Sequence, residues 1–391
     1  MSLPEDWSLL PDQVVCVILS HLPPLDRFST SLICSSWHNC FSAPSLWRHS
    51  TFCITGHPYQ RSQILWARNF AAQISSFRLD VDQGPARNRA DALELLEELG
   101  RQSQRKIANF SINFIGQNPL FYAGQEFVDC LTRLFAGEQT CSLHTVDLSR
   151  LPAMLNDSLV LAIGQRNTAL RFLDIQNRQL VCKVSPECLL QVIQWCPNLQ
   201  DLRLFHRSLS DSALLALSQS HRLPLAHLSI QCHRMDKWES HELSDAAWST
   251  LASQWPGLEV TLKFDHTCTM DVVASVMKSP IPVSQLHLET FMSADDQLAM
   301  AVKLYAPRLR KLVVQSQPSP ELDDALLSLS SRAPLLESLH VLCILEPKTI
   351  ERILREHPSM RSYTLKDLPE PHPWTTDDIL DEIRLRGGTL L

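Results

Sequence analysis

One short pattern limits what this chain can fold into more than any other feature. An apolar residue, two others, a second apolar residue, one other and a third apolar residue recur along most of its 391 residues. Clear copies are Leu143/Val146/Leu148, Leu170/Leu173/Ile175, Leu199/Leu202/Leu204, Leu225/Leu228/Ile230, Val283/Leu286/Leu288, Leu309/Leu312/Val314, Leu336/Leu339/Val341 and Met360/Tyr363/Leu365. Their first positions lie 27, 29 and 26 residues apart from Leu143 to Leu225, and 26, 27 and 24 apart from Val283 to Met360. Weaker copies are Ile74/Phe77/Leu79 and Ile107/Phe110/Ile112, and Leu258/Leu262/Phe264 carries one residue too many, which predicts a bulge. Each copy reads as one face of a short strand. The segments between have helical spacing. Ser185-Pro186 caps Leu189, Val192, Ile193 and Cys196; Ser244 or Asp245 caps Trp248, Leu251 and Ala252; Glu321 leads into Leu322, Ala325, Leu326 and Leu329; Thr349 leads into Ile350, Ile353 and Leu354. Prolines such as Pro197, Pro307 and Pro358 stop the helices just ahead of the next strand. A single strand–helix unit cannot bury both its faces, so neighbours must stack.

This period resembles that of leucine-rich-repeat proteins of the long-repeat type. The resemblance implies an α/β solenoid over residues 74–368, a horseshoe with a parallel concave sheet and outer helices. A doubly wound sheet or a barrel also alternates strand and helix, but eight copies at near-constant spacing weigh against both.

The second organising feature is the stretch from Leu10 to Trp47, which carries more apolar surface than its length can bury alone. Leu10-Pro11-Asp12 opens a helix with Val14, Val15, Ile18, Leu19 and Leu22 on one face; Pro23-Pro24 breaks it; Asp26 caps a second segment in which Phe28, Leu32, Ile33 and Trp37 recur; Ala43-Pro44 begins a short third turn with Leu46 and Trp47. Three short helices in so small a unit need a partner surface.

Leu10-Pro11-Asp12, Ile18-Leu19, Leu22, Cys34-Ser35-Ser36-Trp37 and Ser45-Leu46-Trp47 stand in the order of an F-box, and the stretch resembles that family over the whole motif. In the family the motif docks on the S-phase kinase-associated adaptor of a cullin–RING (SCF) ubiquitin ligase. The resemblance therefore implies that Leu10, Pro11, Ile18, Leu19, Leu22, Leu25, Cys34, Trp37, Leu46 and Trp47 form or support an adaptor surface. The alternative is a helical cap packed on the next domain. An F-box at 10–50 ahead of a repeat array looks like an F-box/leucine-rich-repeat protein. A closer likeness within that family rests on Asn118-Pro119-Leu120-Phe121 with Ala123-Gly124, on Tyr363-Thr364-Leu365-Lys366 and on Glu370-Pro371-His372-Pro373-Trp374.

The remainder divides into a tail at 1–9, a linker helix within 51–73 around Ile64, Leu65, Trp66 and Phe70, and residues 369–391, where a charged helix over 375–386 either caps the stack or is a free tail. Apolar content of 45% and charged content of 20% are globular values. A net charge of −7 argues against non-specific nucleic-acid binding. No run of apolar residues is long enough to span a membrane, and the N-terminus lacks a secretory pattern, so a cytoplasmic and/or nuclear location with reduced thiols is expected. The sequons at Asn109 and Asn156 then carry no meaning.

Catalytic motifs are not found, and no cofactor is implied. The twelve cysteines are irregularly spaced and form no C-x-x-C. Cys232-His233 with His241 is the best metal candidate and lacks a second close pair; Cys182 and Cys188 read as core or surface thiols. Thioester-type ubiquitin ligases need a reactive cysteine in a dedicated domain and RING types need paired zinc sites, so a role in ubiquitylation would be to hold a substrate near a charged carrier. The strand residues between the core positions, Phe172, Asp174, Asp201, Arg203, Phe205, His227, His287, Glu289, Lys311 and His340, form the candidate substrate stripe, with two phenylalanines expected to be exposed. The excursion from Cys232 to Glu242, with Met235 and Trp238, is a further candidate contact loop. The expectation is a non-catalytic substrate receptor; the alternative is a leucine-rich-repeat scaffold that binds a protein partner outside any ligase.

Overall fold

Four short helices occupy the N-terminal stretch where the spacing predicts three. A computed structural model describes residues 7–120, 122–137, 142–177, 182–233, 242–290 and 292–367. Met235, Trp238, His241 and the expected helix at 375–386 lie outside the described residues. Helix α1 (Asp12–Ser20) follows Pro11, whose carbonyl accepts the N–H groups of Val14 and Val15 at 2.9 and 3.1 Å. Its apolar residues do not share one face: Val15 and Leu19 are buried, while Val14 and Val17 are exposed. Helix α2 (Pro24–Ser31) starts on proline, whose fixed φ suits the first turn. It stops at Leu32, and α3 (Ser35–Phe41) begins anew after Cys34, so the segment expected to run from Phe28 to Trp37 is two helices. The cause is local. The hydroxyls of Ser29, Thr30 and Ser31 donate back to the carbonyls of Leu25, Asp26 and Phe28, bonds that compete with the helical ladder. Helix α4 (Pro44–Trp47) is the expected short turn.

One buried cation closes this bundle. Arg27 Nε donates to the carbonyls of Leu19 and Leu22 at 2.9 and 2.7 Å, and its terminal nitrogens reach those of Ser20 and Leu46. A guanidinium suits this place because the last carbonyls of α1 have no intrahelical donors and carry the negative end of the helix dipole.

By packing, the chain falls into two compact units, Met1–Leu262 with Lys278–Pro282, and Lys263–Met277 with Val283–Leu391. In the first, the bundle leads into β1 (His49–Ile54), α5 (Gln60–Phe70), β2 (Ser76–Val81), α6 (Ala86–Arg101), β3 (Asn109–Phe114), α7 (Gln125–Ala136), β4 (Thr145–Arg150), α8 (Asp157–Gly164), β5 (Phe172–Asp174), α9 (Pro186–Trp195), β6 (Asp201–Phe205), α10 (Asp211–Leu217), β7 (His227–Cys232) and α11 (Asp245–Gln254). Strands β1 to β7 pair in chain order, all parallel, and consecutive helices pack on one another. Strand β8 (Glu259–Phe264) is divided between the units after Leu262. In the second unit, β9 (Val283–Leu288), β10 (Lys311–Val314), β11 (Ser338–Ile344) and β12 (Ser362–Lys366) likewise pair parallel in order, with α12 (Met270–Val276), α13 (Asp295–Tyr305), α14 (Pro320–Arg332) and α15 (Pro347–Glu356) between and before them. Both units are thus the stacked strand–helix repeats of a leucine-rich-repeat solenoid, as the spacing predicts.

Two details differ from expectation. The segment 51–73 is not a linker helix alone: β1 pairs with β2, so a strand–helix repeat begins at residue 49. Its pattern is masked because Ser50 occupies the position that Phe77 holds in β2; the serine is buried and donates to the Trp47 carbonyl at 2.7 Å. Strand β8, expected to bulge, buries Val260, Leu262 and Phe264 in regular alternation. Counted from Leu258, just ahead of the strand, Val260 is the second inward position of the repeat, so the apparent extra residue is a shortened approach to the strand.

The helix starts are linked from repeat to repeat. Asn156, Ser185, Ser210 and Ser244 each accept an N–H of the first turn of α8, α9, α10 and α11. Asp157 and Asp211, the first residues of α8 and α10, accept the backbone N–H of Ser185 and Ser244. In the second unit Asp295 accepts from the Ser319 hydroxyl and Asp323 from the Glu346 N–H. Ser185→Ala, which removes both the cap and the hydroxyl bond to Asp157, is expected to lower stability by about 1 to 2 kcal/mol. Urea unfolding would read this as a lower midpoint with an unchanged slope.

Candidate functional site

The four-helix bundle presents two kinds of apolar residue. The buried kind includes Leu19, Trp37, Leu46 and Trp47. Trp37 is only 6% exposed, and its indole N–H donates to the Trp7 carbonyl at 3.1 Å. Trp47 is fully buried, and its N–H donates to the Phe41 carbonyl at 2.8 Å. The resemblance implies that these four form or support an adaptor surface. Their burial places them in the bundle core, where they can hold such a surface in shape but cannot touch a partner. Leu10, Ile18, Leu22, Leu25 and Cys34 are half-buried, and Pro11 is exposed.

The exposed kind was largely missed. Leu9 is 74% exposed, Leu32 and Ile33 65% and Val17 59%, with Trp7 and Val14 also open. Val14, Val17 and Ile18 recur at helical spacing along one side of α1, opposite Val15 and Leu19. The available signal was an excess: α1 carries apolar residues on both sides, which a helix facing one core does not need. Leu32 and Ile33 follow the Ser29-Thr30-Ser31 triplet that ends α2, and reading them as helical hid their exposure.

An aromatic cluster joins the bundle to the first repeat. Trp47 stacks on Phe70 of α5 at 4.2 Å between centroids, and Phe41 meets Trp47, Trp66 and Phe70 edge-on at 5.1, 5.7 and 5.9 Å. Phe28 packs on Trp66 at 5.3 Å. Such contacts add to the burial of large rings, so the bundle is fixed to the repeat that follows it.

On the first unit's sheet, register sets Phe172, Asp201 and His227 in one row and Asp174 and Arg203 in the next. Arg203 is paired with Asp201 at 3.1 Å and Asp174 at 3.6 Å, and its guanidinium lies 4.9 Å from the centre of the Phe172 ring. The hydrogen bonds and charge of Asp201 lead the rise in the Arg203 pKa. His227 stands 3.8 Å from Glu259. These five stripe residues are therefore brought together with Asp174 largely buried. Neither phenylalanine is exposed as the alternation predicts: Phe172 is half-buried beneath the Arg203 guanidinium, and Phe205 is 2% exposed, with its ring 4.9 Å from that of His233 at the end of β7.

In the second unit His287 and Glu289 are bonded at 3.0 Å. Burial holds the His287 pKa below its ordinary value, and the bond from His287 holds the Glu289 carboxyl down. Lys311 is half-buried on β10. His340 is held by Ser338 and Thr364 at 3.0 and 2.9 Å.

Several buried thiols among the described residues are held away from the nucleophilic form. Burial is the leading cause that pushes Cys40, Cys188 and Cys196 up to about 12 and Cys130 and Cys343 up to about 11, away from the thiolate form that reacts. Cys232 and His233 are buried at the end of β7. Among the described residues no group of histidines, cysteines and carboxylates is placed to hold a metal, and no helix is long and apolar enough to cross a membrane.

A family model described as the F-box domain matches residues 7–49. Over 371 residues the chain is 30% identical to F-box/LRR-repeat protein 8 of Mus musculus, covering 93% of this chain and 96% of that protein. The Homo sapiens protein of that name is 28% identical over 365 residues, with 93% and 96% covered. F-box/LRR-repeat protein 21 of Ovis aries is 27% identical over 346 residues, with 85% and 76% covered. With this likeness running through both the bundle and the stacked repeats, the chain belongs to the F-box/leucine-rich-repeat family.

Proposed function

We propose that the chain is the substrate-recognition subunit of an SCF-type cullin–RING ubiquitin ligase, acting in the cytoplasm, the nucleus or both. F-box/leucine-rich-repeat proteins generally serve in this way. Its bundle docks on the S-phase kinase-associated adaptor, and through it on the cullin–RING core, while the sheet face of the repeats holds a protein for ubiquitylation and proteasomal degradation. The chain itself makes and breaks no bond; its contribution is proximity of substrate lysines to a charged carrier.

The observation that carries this reading is the exposed apolar set of Leu9, Val14, Val17, Leu32 and Ile33 on a bundle that its buried Trp47 anchors to the repeats. Several exposed apolar residues of this size on one small unit suit an interaction surface. A scaffold whose N-terminal helices only cap the array would have that surface turned inward. Phe28, Phe41 and Trp47 are turned inward, and the exposed set is not.

The test is capture of purified adaptor by the full chain and by a Val17→Glu/Ile33→Glu double variant. Both positions are exposed, so the melting temperature is expected to hold. Capture is expected to weaken by about 100-fold or more, because a charge is set against an apolar interface at two places. Equal capture by a folded variant would count against the proposal.

A further inference from the structure

A cavity of about 590 Å³ opens beside the C-terminal ends of β3 and β4, walled by Phe114, Ile115, Gln117, Asn118, Arg150 and Pro152 among others. None of the surfaces described above uses it. Its rim is held in place. The buried Gln83 carboxamide donates to the Gly116 carbonyl and to Asn118 Oδ1 and accepts the Gly116 N–H at 2.9 Å. Gly116 has no space for a side chain, since a Cβ there would fall 1.9 Å from Asp82 Oδ1. The loop after β3 is therefore fixed by both a hydrogen-bonded clamp and a close approach.

A shift in the sheet sets the cation at this site. Ser111 pairs with Asp147, but Asn113 pairs with Arg150, so β4 carries one extra residue against β3. The bulge brings Arg150, rather than Ser149, into the outward row beside Asn113; re-aiming a side chain is a common use of a bulge. Carboxylates on the neighbouring strands are already engaged. Asp80 holds Arg78 and Asn113, Asp147 holds Ser149, and Asp174 holds Arg203. Arg150 is exposed, and among the described residues it makes no ion pair or side-chain hydrogen bond. The cavity thus sets a guanidinium that has no ion pair among the described residues, and two side-chain amides, against an apolar wall. The Asp82 carboxylate behind Gly116 accepts the Gly84 N–H, and Ile115 and Leu120 of the same loop are exposed.

We propose that this cavity binds an acidic peptide segment of the protein substrate, with an Asp or Glu carboxylate paired to Arg150 and the adjoining apolar side chain on Phe114, Ile115 and Pro152. It rests on the reading that the repeats hold a protein. A guanidinium meets a carboxylate through two parallel hydrogen bonds, which gives direction as well as attraction. The volume lies within the range of about 300–1,000 Å³ found for ligand pockets, and the cavity is open to solvent, as an extended chain requires.

The test selects phage-displayed random heptapeptides on the full chain, with Arg150→Glu selected in parallel. Arg150 is exposed, so the variant is expected to keep its melting temperature and its capture of the adaptor. Wild type should enrich Asp or Glu next to Leu, Ile or Phe, and the variant should lose that enrichment. A fluorescein-labelled peptide from the wild-type selection should bind the variant about tenfold more weakly or worse. No acidic enrichment, enrichment retained by Arg150→Glu, or enrichment of basic peptides by wild type would overturn the proposal. Adaptor capture is read separately: its failure in wild type would overturn the ligase reading, while the peptide result would stand or fall on its own.

Discussion

Trp47→Ala is expected to destabilise the N-terminal bundle by about 3 to 5 kcal/mol, the range for removing a large ring from a packed core. The ring is fully buried, is stacked on Phe70 and meets Phe41 edge-on, and its N–H bonds to the Phe41 carbonyl at 2.8 Å. Alanine would leave a cavity between bundle and α5 and an acceptor without its donor. Denaturant unfolding followed by tryptophan fluorescence should show the loss, and adaptor capture should fall with the folded fraction. Val17→Glu should do the reverse, keeping the fold and losing the partner. A Trp47→Ala protein as stable as wild type would show that the aromatic joint is not holding the bundle.

Arg27→Met is expected to cost about 3 kcal/mol or more, since bonds from a charged donor contribute about 1.5–3 kcal/mol each and the carbonyls left behind remain largely out of water. Arg27 serves the carbonyls of Leu19, Ser20, Leu22 and Leu46. Burial lowers its pKa from the ordinary arginine value, which is tolerable only for a group that starts so high. Arg27→Lys should not rescue, because one ammonium lacks the planar fork that reaches both α1 and α4. Hydrogen exchange should then report faster exchange in both helices. Restoration of wild-type protection by lysine would contradict this account of the closure.

The repeats were legible because their chemistry is redundant: Leu202 and Leu204, or Leu312 and Val314, alternate within a strand, and the same alternation returns in every copy. Where one residue departs, legibility fails. Ser50 hides the first strand because a hydroxyl satisfied by the Trp47 carbonyl can replace an apolar side chain. Val260 is hidden because the approach from Leu258 to the strand is one residue shorter than in the other copies. The bundle posed a different difficulty. Its motif residues mark the family through Trp37, Leu46 and Trp47, yet burial makes these the frame of the surface. Which side of α1 faces inward depends on the positions of α3 and α4, and that is tertiary information. Phe205 illustrates the same limit, since alternation aims it outward while His233 lies against its ring. Arg150 depends on a register shift between β3 and β4, which alternation alone does not reveal.

The most direct measurement of the central claim is calorimetric titration of the full chain with the purified S-phase kinase-associated adaptor at micromolar concentrations. The account predicts a one-to-one complex with a negative heat-capacity change, as burial of the apolar set requires, and loss of the heat signal in Val17→Glu/Ile33→Glu. A folded wild-type chain that gives no complex at these concentrations would contradict it.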